Sequence, residues 1–190
     1  VAEGIEWAKT LADKGDEVGK LVEKGKGQFV GPEIEGKTLG VIGLGAIGAL
    51  LANAALGLGM KVYGYDPFIS VDAAWKISRS VKHATELSEI YENCDYISVH
   101  VPSTPDTKGM INEETIASMK DGVRIINLAR ADLVNNADIK KAIESGKVGS
   151  YVVDFPTEET INVPGIVAIP HLGASTPESE DNCAIMAAKE

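Results

Sequence analysis

The chain has 190 residues, of which 44% are hydrophobic, and its 18 basic and 28 acidic side chains give a formal net charge of −10. This length suits one domain or at most two, with enough apolar material for a hydrophobic core. The acidic balance argues against nucleic acid or an anionic membrane surface as a partner, and no apolar run is long enough to span a bilayer.

The cysteines and the two ends of the chain bear on its location and extent. Cys94 and Cys183 lie far apart without metal-ligand spacing, and no basic segment precedes an apolar one as in a secretory signal. We therefore expect a cytoplasmic protein with free thiols and no metal site. The chain opens at Val1 and closes at Glu190 within a helical pattern, so we expect it to be part of a longer protein.

The predicted elements alternate between strand and helix after a helical beginning. Residues 1–25 have apolar positions at helical spacing, and a loop rich in glycine follows. Short apolar strands are predicted at 37–42, 62–65, 96–99, 123–127, 148–153 and 166–168. Helices are predicted from the glycine-rich turn to about 58, at 70–78, at 84–92, at 136–145, and onward from an N-cap at Ser175 or Thr176. This alternation predicts an α/β fold of the Rossmann type, a doubly wound parallel sheet in a three-layer αβα arrangement over residues 36–190.

A glycine-rich turn follows the first predicted strand. Its residues, Gly43-Leu44-Gly45-Ala46-Ile47-Gly48, match the pattern G-x-G-x-x-G between a strand and a helix. The glycines let the backbone approach a pyrophosphate, and the helix N-terminus supplies free N–H groups. Asp66 ends the second strand 18 residues after Gly48, where a carboxylate accepts ribose hydroxyls and repels a 2′-phosphate. The pattern predicts dinucleotide binding, with NAD favoured over NADP.

Polar residues follow several of the other strands and are expected to meet at one edge of the sheet. Arg130, Asp154 and His171 each come after a strand, and the carboxyl ends of parallel strands share one edge. An arginine binds a carboxylate in a bidentate manner, and a histidine exchanges a proton near neutral pH. A carboxylate at the far ring nitrogen would fix the tautomer of that histidine. His100 follows a strand too, but alone it is better interpreted as a structural histidine.

The sequence resembles the D-isomer-specific 2-hydroxyacid dehydrogenases. The matching strings occur in the family's order over residues 37–176. They are Gly43 to Gly48 with Asp66, His100-Val101-Pro102, Asn127-Leu128-Ala129-Arg130, and Pro170-His171-Leu172-Gly173-Ala174-Ser175-Thr176. The resemblance implies oxidation of a 2-hydroxy acid by NAD. The last string favours the branch that oxidises 3-phospho-D-glycerate to 3-phosphohydroxypyruvate, the first step of serine biosynthesis.

The resemblance also implies roles for individual residues. Arg130 matches the catalytic arginine, and His171 matches the acid–base histidine. The glutamate that pairs with this histidine falls on Glu159 when counted from Asp154 and on Glu158 when the local string is matched, and Glu159 is preferred. Thr160 stands where the family usually has proline, and Ala131 where it mostly has glycine. Contacts to NAD are implied for Gly43, Gly45, Ala46, Ile47, Gly48, Asp66, Val101, Pro102, Leu128, Ala129, Arg130, Asp154, His171, Gly173 and Ala174, with Asp154 at the nicotinamide carboxamide.

The resemblance further indicates what lies outside this chain. Members of the family have a substrate domain that these residues do not match, so we expect weak or no turnover by this chain alone. Residues 1–35 resemble the segment that joins the two domains and packs on a second subunit, which implies a homodimer. Two other functions stay open: a related enzyme such as a glyoxylate or hydroxypyruvate reductase, and a non-catalytic NAD-sensing module.

Overall fold

Seven parallel strands form one sheet in the computed structural model, which describes residues 2–188. The strands are β1 (Thr38–Ile42), β2 (Lys61–Tyr65), β3 (Lys82–His83), β4 (Tyr96–Val99), β5 (Val123–Asn127), β6 (Val148–Val153) and β7 (Ile166–Ala168). Their order across the sheet is β3-β2-β1-β4-β5-β6-β7, and every adjacent pair is parallel. Successive strands are therefore added in one direction from β1 to β3 and in the opposite direction from β4 to β7. This reversal beside β1 confirms the predicted doubly wound fold.

Helices cover both faces of this sheet. The helices after β1 are α3 (Ala46–Gly57), α4 (Val71–Ala74), α5 (Leu87–Asn93), α6 (Glu113–Ala117), α7 (Asn136–Glu144) and α8 (Pro177–Ala187), of which α8 contains no buried residue. Leu39 and Val41 of β1 belong to a core cluster with Ala52 of α3, whereas Ile42 belongs to a second cluster with Ile90 of α5. Because successive side chains of a strand point to opposite faces, the two clusters are the two interfaces of a three-layer αβα structure.

The residues up to Ile34 form a separate compact unit, and the sheet unit begins at Glu35. The first unit contains α1 (Ala2–Lys9) and α2 (Val18–Gly25), with short 3-10 helices at Ala12–Glu17 and Lys26–Phe29. The rings of Trp7 and Phe29 pack with their centroids 5.2 Å apart. The helical character predicted for this segment is thus confirmed over its described residues.

The segment between β2 and β4 differs from the sequence prediction. The helix predicted at 70–78 has only the four residues of α4, because the Asn53 amide binds the Lys76 carbonyl at 2.8 Å and accepts the Ser78 N–H at 2.9 Å. The short edge strand β3 follows. The helix predicted at 84–92 begins only at Leu87, since Glu86 is its N-cap in a capping box with Glu89. The helix α6 was not predicted at all.

The C-terminal helix begins where the sequence predicts. Thr176 is the N-cap of α8, and its hydroxyl accepts the N–H of Ser179 at 3.2 Å. The predicted continuation through Lys189 and Glu190 lies outside the described residues. None of the helices within residues 2–188 has the length and apolar character needed to cross a membrane.

Candidate functional site

The loop between β1 and α3 lies at the point where the strand order reverses. Gly43 has a φ of 93°, and a Cβ there would lie 2.7 Å from the carbonyl oxygen of His100. A Cβ on Gly48 would overlap the carbonyl oxygen of Gly43, so glycine is needed for α3 to pack this closely. Gly45, the N-cap of α3, has no atom within 4 Å of a Cβ built on it. The N-terminus of α3, with its free N–H groups, is therefore open to a phosphate.

Asp66 connects the end of β2 to this loop. Its Oδ2 accepts the N–H of Leu44 at 2.8 Å, and its Oδ1 accepts the N–H of Phe68 at 2.9 Å. A cavity of ≈ 390 Å³ adjoins the carboxylate, and its walls are mostly apolar: Leu44, Gly64, Ile69, Ala74, Ile77 and Val81, with Ser78, Arg79 and His83. The predicted ribose-binding carboxylate thus stands beside the glycine loop, held by backbone donors.

The end of β4 closes the other side of the loop. The His100 N–H donates to the Ile42 carbonyl at 2.7 Å, and its ring Nε2 lies 2.8 Å from the Ser98 hydroxyl. Burial lowers the pKa of His100, which favours the neutral ring near physiological pH. This hydrogen-bonded, partly buried ring supports the structural interpretation of His100. Val101 and Pro102 continue from it at the carboxyl edge of the sheet.

A buried amide positions the loop that carries Arg130. Asn127, the last residue of β5, donates from Nδ2 to the Arg130 carbonyl at 2.9 Å and accepts the Ala129 N–H at 3.2 Å. The same Nδ2 lies 3.4 Å from the hydroxyl of Tyr151, whose pKa burial raises to about 12. Arg130 itself donates to the Ala129 carbonyl at 2.6 Å and forms no ion pair within residues 2–188. Its charge is therefore available to an anionic ligand.

His171 lies against the end of β6. Its Nδ1 is 2.7 Å from the Oδ2 of Asp154, and its ring stacks on Phe155 with centroids 4.7 Å apart. The His171 side chain is 56% exposed, whereas that of Asp154 is 8% exposed. The other oxygen, Asp154 Oδ1, is buried and has no hydrogen-bond partner. The pair therefore combines an accessible imidazole with a buried carboxylate, one oxygen of which accepts no hydrogen bond in this structure.

The two glutamates expected beside His171 lie elsewhere. Glu158 and Glu159 are both exposed, and neither forms a hydrogen bond or ion pair through its side chain in the described part of the chain. In this structure Nδ1 of His171 contacts Asp154, and the pairing of Glu159 with His171 stays a prediction. A turn over residues 157–161 buries Thr160 and turns the glutamates outward.

Sequence patterns missed several supporting residues of this edge. Tyr151 and Phe155 read as ordinary core positions, and nothing in their spacing shows what they contact. Asn127 could have been found, because an amide within the apolar run of β5 needs hydrogen-bond partners once buried. Among residues 2–188, no group of three His, Cys, Asp or Glu side chains is placed to hold a metal ion.

The strand order, the glycine loop and the polar strand ends define a dinucleotide-binding domain. A family model described as D-isomer specific 2-hydroxyacid dehydrogenase, NAD binding domain, matches residues 5–173. The chain belongs to this family, and its cofactor is NAD.

Curated relatives and solved structures agree with this assignment. D-3-phosphoglycerate dehydrogenase of Bacillus subtilis is 41% identical over 168 residues, which cover 85% of this chain and 31% of that protein. The human protein of the same name is 39% identical over 164 residues, covering 82% and 30%. The chain thus spans about a third of the length of these relatives.

Two solved structures show the same fold at greater sequence distance. Apo D-mandelate dehydrogenase of Rhodotorula graminis superposes with a TM-score of 0.81 at 29% identity, covering 97% of this chain and 54% of that one. D-lactate dehydrogenase from Aquifex aeolicus, complexed with NAD and lactic acid, superposes at 0.75 with 31% identity, covering 92% and 58%.

Proposed function

We propose that this chain is the cofactor-binding and catalytic part of an enzyme that oxidises 3-phospho-D-glycerate to 3-phosphohydroxypyruvate with NAD. The relatives named D-3-phosphoglycerate dehydrogenase, at 41% and 39% identity, support this substrate. The observation that carries the proposal is the pair of His171 and Asp154, which follows β6 and β7 at the edge where Arg130 follows β5. A domain that only bound a nucleotide would need neither this pair nor an unpaired arginine.

The residues present fit NAD. The open space at Gly45 lets a pyrophosphate approach the first N–H groups of α3. Asp66 would accept hydroxyls of the adenosine ribose. The buried, unpartnered Oδ1 of Asp154 calls for a hydrogen-bond donor, and the nicotinamide carboxamide provides one. When bound, NAD supplies the acceptor for a hydride.

The chain's own side chains supply binding and proton transfer. Arg130 pairs with the substrate carboxylate and polarises the oxygen that becomes the carbonyl. The hydroxyl proton passes to Nε2 of His171 as the O–H bond breaks, and the carbon–oxygen bond becomes double as the C–H bond breaks and its electron pair leaves as hydride. Asp154 stabilises the imidazolium that this transfer creates.

The test is steady-state turnover by the full-length protein with 3-phospho-D-glycerate, glycerate and glycolate. We expect NAD reduction with the phosphorylated acid to fall about 10²–10⁴-fold in His171→Asn, as for loss of a general base. Arg130→Ala should lose activity as well, while Arg124→Ala, within the strand β5 that precedes Arg130, should not. Arg124 is a matched control, because its guanidinium lies 5.4 Å from the Tyr96 ring instead of at the carboxyl edge.

Other outcomes would refute this substrate or the enzymatic function. Turnover restricted to the unphosphorylated acids would identify a reductase of glyoxylate or hydroxypyruvate instead. NAD binding without turnover of any acid would identify a non-catalytic NAD sensor.

We also propose that the full-length protein forms a homodimer through residues 1–35. Three apolar side chains of this segment are exposed in the single chain: Ile5 at 53%, Val30 at 81% and Ile34 at 39%. Burial of such residues against a second copy would remove apolar surface from water. Multi-angle light scattering should give twice the monomer mass, and Val30→Asp should lower it. A monomer at all protein concentrations would refute the proposal.

A further inference from the structure

We propose that the groove between α3 and α4 is a contact surface for a second copy of this chain, and that Trp75 of each copy inserts into the groove of the other. This surface is distinct from residues 1–35, for which a dimer contact is proposed above. The inference goes beyond the proposed function because it depends on neither substrate nor cofactor.

The helix α3 has an outward face without polar side chains. Of its residues, Ala46–Gly57, only Asn53 carries a polar side chain. Leu50 is 70% exposed on the side turned away from the sheet, and Ala54, one turn further along, is exposed as well. A helix that is apolar all round is typical of one that is covered on every side. The outward face of α3 therefore lacks a cover within the single chain.

A groove of ≈ 180 Å³ separates this face from α4. Its lining residues are Gly45, Ala46, Ala49, Leu50 and Asn53 on one side and Ser70, Asp72, Ala73 and Lys76 on the other. The Asn53 side chain joins the two sides, because it donates to the Lys76 carbonyl at 2.8 Å and accepts the Ser78 N–H at 2.9 Å. The groove is thus preformed. Pockets for drug-sized ligands hold about 300–1,000 Å³, so this groove is better matched to a single large side chain.

Trp75, at the C-terminal end of α4, is such a side chain. It is 80% exposed, and Val71, one turn earlier, is 71% exposed. Tryptophan is enriched at the centres of protein interfaces, because its rigid ring removes a large apolar area from water. In a two-fold dimer each copy uses the same surface, so one Trp75 enters each groove.

The charges of the groove favour a second copy over an acidic or basic partner. The chain carries a net charge of −10, so two copies repel each other over most of their surface. The charged residues that line the groove are Asp72 and Lys76, which cancel, and neither forms an ion pair within residues 2–188. A two-fold axis would place Asp72 opposite Lys76 of the partner subunit, and the reverse. The surface is therefore complementary to itself.

The experiment follows Trp75 fluorescence and molecular mass over a series of protein concentrations. Trp7 and Trp75 are the two tryptophans of the chain, so Trp7→Phe leaves Trp75 as the single reporter. Val30→Asp in the same chain removes the contact proposed for residues 1–35, so the two dimer proposals fail separately. NAD is left out, because Gly45 and Ala46 of the glycine turn form one end of the groove.

The expected result is a shift of the Trp75 emission to shorter wavelength as the concentration rises. This shift should accompany a doubling of the mass in light scattering, because the indole leaves water when two copies associate. An emission maximum that stays at its exposed value, with a monomer mass up to submillimolar concentration, would overturn the proposal.

Truncation of the inserted side chain tests its role. Trp75→Ala should weaken the association at least about 30-fold in light scattering, as for a hot-spot residue. Ile161→Ala is the control, because Ile161 is 49% exposed and lies outside the groove, and it should stay within about twofold of the parent chain. Circular dichroism checks that both variants are folded. Equal losses in the two variants would contradict an insertion of Trp75.

Exchange of the two charges tests the two-fold arrangement. Asp72→Lys and Lys76→Asp should each weaken the association at least about tenfold, because like charges then meet across the axis. The double variant restores opposite charges at both contacts and should recover the association of the parent chain. A contact with a different protein, or a merely local effect on α4, would not be rescued in this way. Failure of the double variant to recover would therefore refute the proposed pairing.

Discussion

Two glycines of the same turn are expected to respond to alanine in opposite ways. At Gly43 a new Cβ would lie 2.7 Å from the His100 carbonyl oxygen and 3.0 Å from Cγ1 of Val101, on a backbone with a φ of 93°. At Gly45 a new Cβ meets no atom within 4 Å, and φ is −66°. Gly43→Ala therefore tests the fold, whereas Gly45→Ala tests the ligand site alone.

The magnitudes follow from these distances. The positive φ costs an alanine roughly 1–2 kcal/mol, and the clash with the end of β4 adds about 1–3 kcal/mol. For a chain of this size each kcal/mol lowers Tm by about 2–4 °C, so Gly43→Ala should melt roughly 4–20 °C lower than the unsubstituted chain. Gly45→Ala should melt within about 3 °C of it, because no packing is disturbed.

The assay is thermal unfolding followed by circular dichroism, with and without NAD. At a concentration 100 times its Kd, NAD should stabilise the unsubstituted chain by about 2.7 kcal/mol. In Gly45→Ala this ligand-induced rise in Tm should largely vanish, because the methyl group fills the space that the pyrophosphate needs. An unchanged Tm in Gly43→Ala, or an undiminished response to NAD in Gly45→Ala, would refute the reasoning.

Three further predictions concern groups that support the site and the sheet. Asn127→Ala leaves the Ala129 N–H and the Arg130 carbonyl without partners and should cost about 1–3 kcal/mol in urea unfolding. Thr160→Val removes the hydroxyl that closes the turn and should cost about 1 kcal/mol in the same assay. Burial alone would raise the pKa of Asp95, but a backbone N–H and Lys120 lower it overall. The stability from this ionised carboxylate is fully present above the ordinary aspartate pKa of about 3.9 and is lost as the pH falls through the lowered pKa, so urea unfolding should show Asp95→Asn destabilised at neutral pH, with the difference shrinking as the pH falls below about 4.

Six of the seven strands were predictable because the sheet is buried on both faces, whereas the two-residue edge strand β3 was not predicted. Strands in that setting are short continuous apolar runs, and the predicted bounds of β4, β5, β6 and β7 match the observed ones. The positions of Asp66, Arg130 and His171 at the carboxyl edge followed from the same bounds. Residues placed by strand periodicity were therefore located correctly from the sequence.

The irregular segments were not predictable, because long-range or turn hydrogen bonds determine them. The Asn53 side chain on α3 binds the backbone of Lys76 and Ser78, which follow α4 and lie 23 and 25 residues further along the chain. No local sequence pattern reveals these contacts. Likewise, the outward placement of Glu158 and Glu159 follows from the turn that Thr160 closes. The assignment of Glu159 as the partner of His171 follows from family spacing alone and stays a prediction.

Calorimetric titration of the 190-residue chain with NAD, and separately with NADP, tests the central claim most directly. The structure predicts saturable binding of NAD and none of NADP, because Asp66 at the end of β2 repels a 2′-phosphate. Asp66→Ala should weaken the binding of NAD at least about tenfold, or 1.4 kcal/mol. Absence of NAD binding at millimolar concentration, or equal binding of both nucleotides, would contradict the account.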